Sequence, residues 1–169
     1  MSLAPDQTGI GLRRHFTADG VDPYETVTWE HRDARIANWR TGEVAFEQLG
    51  VEVPSTWSVN ATNILAQKYF RGTLGTPERE SSLRQVVDRV VDTITRWGIE
   101  GGYFDAGEAE IFRDELKYLV IHQRGAFNSP VWFNIGVDGV PQQASACFIL
   151  SVEDKMEAIL NWYVEEGVI

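Results

Sequence analysis

The chain reads as mainly α-helical with a small β-hairpin, and three patterns predict that class. Leu83, Val86, Val87, Val90, Val91, Ile94 and Trp97 recur at the spacing of one helical face, with Arg84, Gln85, Asp88, Arg89, Asp92 and Arg96 opposite them. Val27 and Trp29 alternate with polar Thr28 and Glu30, and Val44 and Phe46 repeat that alternation beyond a turn at 38–42, as two paired strands would. Near the end, Cys147 to Leu150 form a short apolar run ahead of a second amphipathic stretch, which reads as one strand and one helix of an α/β layer.

Residues 1–22 carry Pro, Gly and Asp without periodicity and are expected to form a flexible lead-in. Residues 23–143 then hold the hairpin and most of the helices. After Pro54, Ser58 is placed to cap a helix over 59–70, with Ala61, Ile64 and Leu65 on one face and Gly72 beyond its end. For the long helix, Ser82 with Gln85 matches a capping box, Thr76-Pro77 offers an earlier start, and Gly98 suits the stop.

Asp105 with Glu108 repeats the capping signature and opens a helix whose packed face is Phe112, Leu116, Leu119 and Val120, ending near Arg124-Gly125. The following Asn128-Ser129-Pro130-Val131-Trp132-Phe133-Asn134 is expected to be a rigid loop. Pro130 restricts the residue before it to extended geometry, and Trp132 and Phe133 are able to anchor the far side. Residues 144–169 give the buried strand at Cys147 and a helix that Ser151 caps, with Met156, Ile159, Leu160 and Tyr163 on its packed face. One such unit leaves a face of its strand bare, and the chain ends on Gly167-Val168-Ile169 without a polar tail, so it looks cut.

Composition narrows the function. At 169 residues with 43% hydrophobic content, including six Trp, eight Phe and five Tyr, the chain has the material for a sizeable core. A net charge of −10, from 25 acidic against 15 basic residues, argues against any role that tracks a nucleic-acid backbone, because that affinity comes from neutralised phosphates. Single nucleotides remain admissible ligands, since backbone groups in a pocket bind them whatever the global charge. The lone cysteine forms no internal disulfide, and His15, His31 and His122 are too scattered for a metal site, so no metal is expected. Arg13-Arg14 lacks the apolar run of an export signal, and no stretch approaches the ~20 apolar residues that cross a bilayer, which reads as a cytoplasmic protein without membrane contact.

Several conspicuous residues take plain readings. Trp57, Trp97, Trp132 and Trp162 are read as core or loop anchors, Glu153 and Asp154 as first-turn acids favouring a helix dipole, and His122 as structural. A cysteine followed by Phe, Ile and Leu is, on its own, more often a small buried hydrophobe than a reactive thiol.

The motifs change that balance. Tyr24-Glu25-Thr26-Val27-Thr28-Trp29-Glu30, Gly50-Val51-Glu52-Val53-Pro54 with Trp57-Ser58, Lys68-Tyr69-Phe70-Arg71-Gly72, Phe127 through Asn134, and Ala144-Ser145-Ala146-Cys147-Phe148-Ile149 occur in one order. That order resembles the N-terminal part of adenosylcobalamin-dependent (class II) ribonucleotide reductases, from about Asp22 to Ile169. The resemblance implies a helical front leading into a ten-stranded α/β barrel, of which residues 144–169 would be the incomplete start.

The same resemblance implies the site. Cys147 matches one of two reducing thiols that close into a disulfide as the 2′-hydroxyl of a ribonucleotide leaves as water. Its partner would lie outside this chain. Ser129 matches a substrate-contacting residue, and Ala146 with Cys147 matches the pair lying against the sugar, Ala146 through its backbone. The implied cofactor is adenosylcobalamin, with contacts mostly elsewhere, and the implied partners are a ribonucleotide, by resemblance a diphosphate, and a thioredoxin-type reductant. The resemblance leaves room for dNTP or ATP effectors and for a homodimer of the full-length enzyme. The partner thiol, the radical-bearing cysteine and the general-base glutamate are absent, so the piece alone is expected to be inactive. Two other readings stand beside this one: a fragment of the large subunit of an iron-dependent class I reductase, and a non-catalytic interaction module derived from the same region.

Overall fold

A computed structural model describes residues 9–169, with a two-stranded antiparallel sheet and five α-helices. A short 3-10 turn, Pro23–Thr26, leads into β1 (Trp29–Ala37), which pairs with β2 (Val44–Pro54). The hairpin turn lies at 38–43, where Asn38 both donates to the Glu43 carbonyl and accepts from Gly42. The strands run further than their first alternating residues suggest, because Val51 and Val53 resume the inward pattern after Gly50 and both are fully buried. A bulge between Arg32 and Ala34 permits this, with the Asp33 carboxylate accepting from the Gly50 N–H at 3.0 Å and Gly50 in the left-handed region.

Ser58 caps α1 (Val59–Ile64) as expected, its Oγ accepting from the Ala61 N–H at 3.1 Å. The helix predicted over 59–70 then widens into a π turn over Leu65–Tyr69, closed by the Phe70 N–H donating to the Leu65 carbonyl at 3.1 Å. α2 (Leu83–Glu100) carries the Ser82–Gln85 capping box, so the earlier start at Thr76 is not used. It also runs past Gly98, which lies inside the last turn beneath the Phe104 ring, and ends at Gly101. α3 (Ala106–Ile121) opens on the Asp105–Glu108 capping box and stops at His122, ahead of the expected Arg124-Gly125.

The core forms where the hairpin, α1, α2 and α3 meet. Ala34, Val51, Val53, Ala66, Val86, Val87, Val91 and Ile121 are all without solvent exposure there, with Leu83 and Phe70 beside them. Burying the Val, Leu, Ile and Phe side chains among these contributes roughly 1.5–3 kcal/mol each, before the cost of ordering the chain. A smaller cluster of Val90, Val131 and Ile135, flanked by Trp97 and Trp132, joins α2 to α4 (Ser129–Asn134). No helix among the described residues is long and apolar enough to cross a membrane.

Three expectations need correction. Part of the expected flexible lead-in, residues 10–17, is tied to α3: Glu108 accepts from the N–H groups of Ile10, Gly11 and Leu12, and Glu115 from those of His15, Phe16 and Thr17. Aperiodic sequence conceals such docking, because it is the backbone that binds; residues 1–8 of that lead-in lie outside the described range. Cys147–Leu150 is neither buried nor paired: the segment is irregular and largely exposed, since a strand needs a ladder partner and the hairpin supplies none. Ser151 caps nothing. The last helix, α5 (Met156–Val168), starts after Lys155, and the side chains expected on its packed face are exposed, Met156 at 66% and Tyr163 at 65%. The barrel start remains an expectation.

Candidate active site

The Asn128–Asn134 stretch is a helix and not the predicted loop. Asn128 takes the extended geometry expected of Ser129, and Pro130 falls in the first turn, where its missing N–H has no intrahelical acceptor to lose. Val131 and Ile135 anchor the buried side, and Trp132 Nε1 donates to the Phe127 carbonyl at 2.9 Å, closing the entry into the helix. Ser129 is left on the exposed first turn.

Two residues that the sequence reading did not single out hold this helix. Tyr69, at the end of the π turn, lies with its hydroxyl 3.1 Å from Ser129 Oγ and its ring stacked on Phe133 at 5.3 Å between centroids. Arg89, on α2 and 11% exposed in its side chain, donates to the carbonyls of Ile135 at 2.9 Å and Trp132 at 3.2 Å. Its guanidinium also meets Glu80 at 2.8 Å and reaches the Tyr69 carbonyl at 3.5 Å. Tyr69 falls within one of the quoted motif stretches, whereas Arg89 on the polar face of α2 carries no signal that separates it from a solvated charge.

From α4 a line of side-chain bonds leads to the cysteine. Asn134 Nδ2 donates to the Gln143 carbonyl at 3.0 Å, Gln143 Nε2 to the Ser145 carbonyl at 3.0 Å, and Ser145 Oγ to the Cys147 carbonyl at 3.0 Å. Gln142 folds back on the same loop and accepts from the Gly136 N–H at 2.8 Å. Cys147 is a free, exposed thiol, and Ala146 beside it is exposed with no hydrogen bond on its N–H or carbonyl among the described residues. The structure therefore presents all three candidate residues to solvent on successive segments, and no hydrogen bond joins Ser129 directly to Ala146 or Cys147.

An apolar cleft of about 530 Å³ is lined by Trp57, Leu65, Tyr69, Phe127 and Trp132 together with Arg124, and Ser129 is not among its lining residues. Trp57 and Trp132 line this cleft as anchors, each with its indole N–H bonded to a carbonyl, while Trp162 on exposed α5 anchors nothing in the core. His122 is structural: its Nε2 lies 2.9 Å from Thr26 Oγ1 and its ring packs 4.0 Å from that of Tyr118. Desolvation and then the nearby Arg124 charge hold its pKa below the ordinary histidine value. Among the described residues no group of three or more His, Cys, Asp or Glu is placed to hold a metal ion. The cleft is lined almost wholly by apolar groups and offers few partners to the amide-fringed corrin of a cobalamin, so this cleft does not fit that cofactor.

Comparison with known proteins is consistent with this order of motifs. A family model described as class II vitamin B12-dependent ribonucleotide reductase matches residues 30–123. Vitamin B12-dependent ribonucleotide reductases of Streptomyces clavuligerus and Streptomyces coelicolor are each 56% identical over 95% of this chain and 17% of their own length. The protein of that name from Rhodopirellula baltica is 40% identical over 99% of this chain and 19% of its own. The chain thus spans under one fifth of the length of these relatives.

Proposed function

The chain belongs to the class II vitamin B12-dependent ribonucleotide reductases, and from that premise we propose that it is the N-terminal portion of an enzyme that converts ribonucleotides to deoxyribonucleotides. In this reading Cys147 is one of two thiols that reduce the substrate. Two thiols become a disulfide, giving up two electrons and two protons; the C2′–OH bond breaks, the hydroxyl leaves as water, and a C–H bond replaces it. A single thiol cannot complete that balance. The second sulfur therefore comes from outside this chain, and the chain by itself is expected to show no turnover.

The observation that favours the reading is the bonded line through Asn134, Gln143 and Ser145, which ties the helix bearing Ser129 to the Cys147 segment. In an interaction module the thiol would be solvent-reachable and dispensable, whereas in the reductase it closes a disulfide with a second cysteine once the rest of the enzyme is present. Ser129 is proposed to bind the ribonucleotide, a diphosphate by resemblance, through its exposed hydroxyl. Adenosylcobalamin, when bound, would supply the radical chemistry that starts the reaction; the apolar cleft beside α4 does not fit it, and its contacts are assigned to the remaining length of the enzyme. A thioredoxin-type reductant and nucleotide effectors belong to that same larger unit.

The test is the complete reductase carrying this chain with Cys147→Ser. Turnover supported by the natural dithiol donor should be abolished, while binding of a ribonucleoside diphosphate persists. Full turnover by that variant removes Cys147 from the chemistry and the proposal with it.

A further inference from the structure

We propose that Tyr69 is a positioning residue for Ser129, setting the direction in which the serine hydroxyl meets a ribonucleotide. The inference rests on the reading of Ser129 as a substrate contact and adds a residue to it.

A serine hydroxyl on an exposed first turn rotates freely unless something fixes it. Here one partner does: the Tyr69 hydroxyl at 3.1 Å, the sole hydrogen-bond partner of Ser129 Oγ among the described residues. With the tyrosine as donor, the Ser129 proton turns outward to an acceptor such as a sugar or phosphate oxygen; with the serine as donor, its lone pairs face outward. Either way the hydroxyl meets the ligand already ordered, which lowers the cost of binding.

The tyrosine is itself held at two points, and the second is tied to α4. Its ring stacks on Phe133, one turn beyond Ser129 on α4, its carbonyl faces Arg89, and the same guanidinium caps the far end of α4 through the Ile135 carbonyl. The π turn accounts for its aim. An extra residue in a helical turn rotates the succeeding side chains by roughly 100°, and Tyr69 is the last residue of that turn. π turns recur at functional sites for this reason. A tyrosine serving only to fill space would need the ring and not the hydroxyl.

Tyr69→Phe keeps the ring and its stacking and removes the hydroxyl alone. In the complete reductase assayed with a ribonucleoside diphosphate, Tyr69→Phe should raise KM about three- to tenfold, the worth of one neutral hydrogen bond, and leave kcat unchanged. Ser129→Ala should do the same, and the double variant should be no worse than Ser129→Ala alone, because the tyrosine acts only through the serine. A packing role would lower the active fraction, and so kcat, without moving KM. If Ser129→Ala leaves KM unchanged, the substrate reading of Ser129 fails and takes the positioning role with it. If Ser129→Ala raises KM but Tyr69→Phe does not, or the two effects multiply, the positioning role alone is overturned.

Discussion

Arg89 and Glu80 form a pair in which each side chain is 11% exposed, the guanidinium Nε 2.8 Å from Glu80 Oε1. The pair fastens the connection between the π turn and α2, since Glu80 also accepts from the Arg71 N–H at 2.7 Å while Arg89 holds the carbonyls at the end of α4. It is thus the joint between the hairpin-side core and the helix that bears Ser129.

Arg89→Leu should destabilise the chain by about 3–5 kcal/mol, because it strands a nearly buried carboxylate and leaves the α4 carbonyls without donors. Urea unfolding followed by tryptophan fluorescence measures this. An Arg89→Leu/Glu80→Leu double variant should recover part of the loss, since the uncompensated charge is then gone; a loss no smaller in the double variant would show that the carbonyl contacts, not the ion pair, dominate.

Gly98→Ala should destabilise the chain even though alanine favours a helix by about 1 kcal/mol over glycine. A Cβ at position 98 would lie 2.1 Å from a Phe104 ring carbon, and that ring is stacked on Phe112. Displacing it costs about 1–3 kcal/mol as overpacking, so the net change is a loss of about 1 kcal/mol. In a Phe104→Ala background the same substitution should become neutral or stabilising, which denaturation midpoints of the four variants will read directly.

What the sequence makes legible here is what short-range chemistry determines. The capping pairs Ser82–Gln85 and Asp105–Glu108, the Ser58 cap and the alternation around Trp29 and Phe46 depend on neighbours a few residues away, and each appears in the structure. The π turn before Phe70 and the helical form of Ser129–Asn134 depend on partners far along the chain, Arg89 above all, and periodicity does not register them. Cys147–Leu150 shows the opposite limit: an apolar run has strand propensity, but without a neighbouring strand its hydrogen bonds stay unmade. Of the candidate site, Ser129, Ala146 and Cys147 are proposed through motif resemblance, and Tyr69 and Arg89 become visible only once the helices are in place.

The docked segment 10–17 should release in acid while the helices beneath it persist. Desolvation pushes the Glu108 and Glu115 carboxyls up, but the hydrogen bonds they accept outweigh it, and both titrate below their ordinary value. For Glu108 the donors are the amides of Leu12, Asp105, Gly11 and Ile10; for Glu115 they are the Thr17 hydroxyl and the amides of His15, Phe16 and Thr17. Arg14 adds an ion pair to Asp114 at 2.6 Å and a second contact to Glu110, with Asp19 nearby. A carboxyl whose folded value is depressed holds fully above the ordinary carboxylate range, about pH 4.3, and lets go as the pH falls through its lower folded value. Amide-exchange protection of residues 10–12 and 15–17 should therefore vanish with acidification before that of α2. At neutral pH, Glu108→Gln should expose only the first set and Glu115→Gln only the second. Protection that survives acid in both sets, with α2 still folded, would mean that apolar contacts such as Phe16 stacked on Tyr118 at 5.4 Å hold the segment in place of the carboxylates.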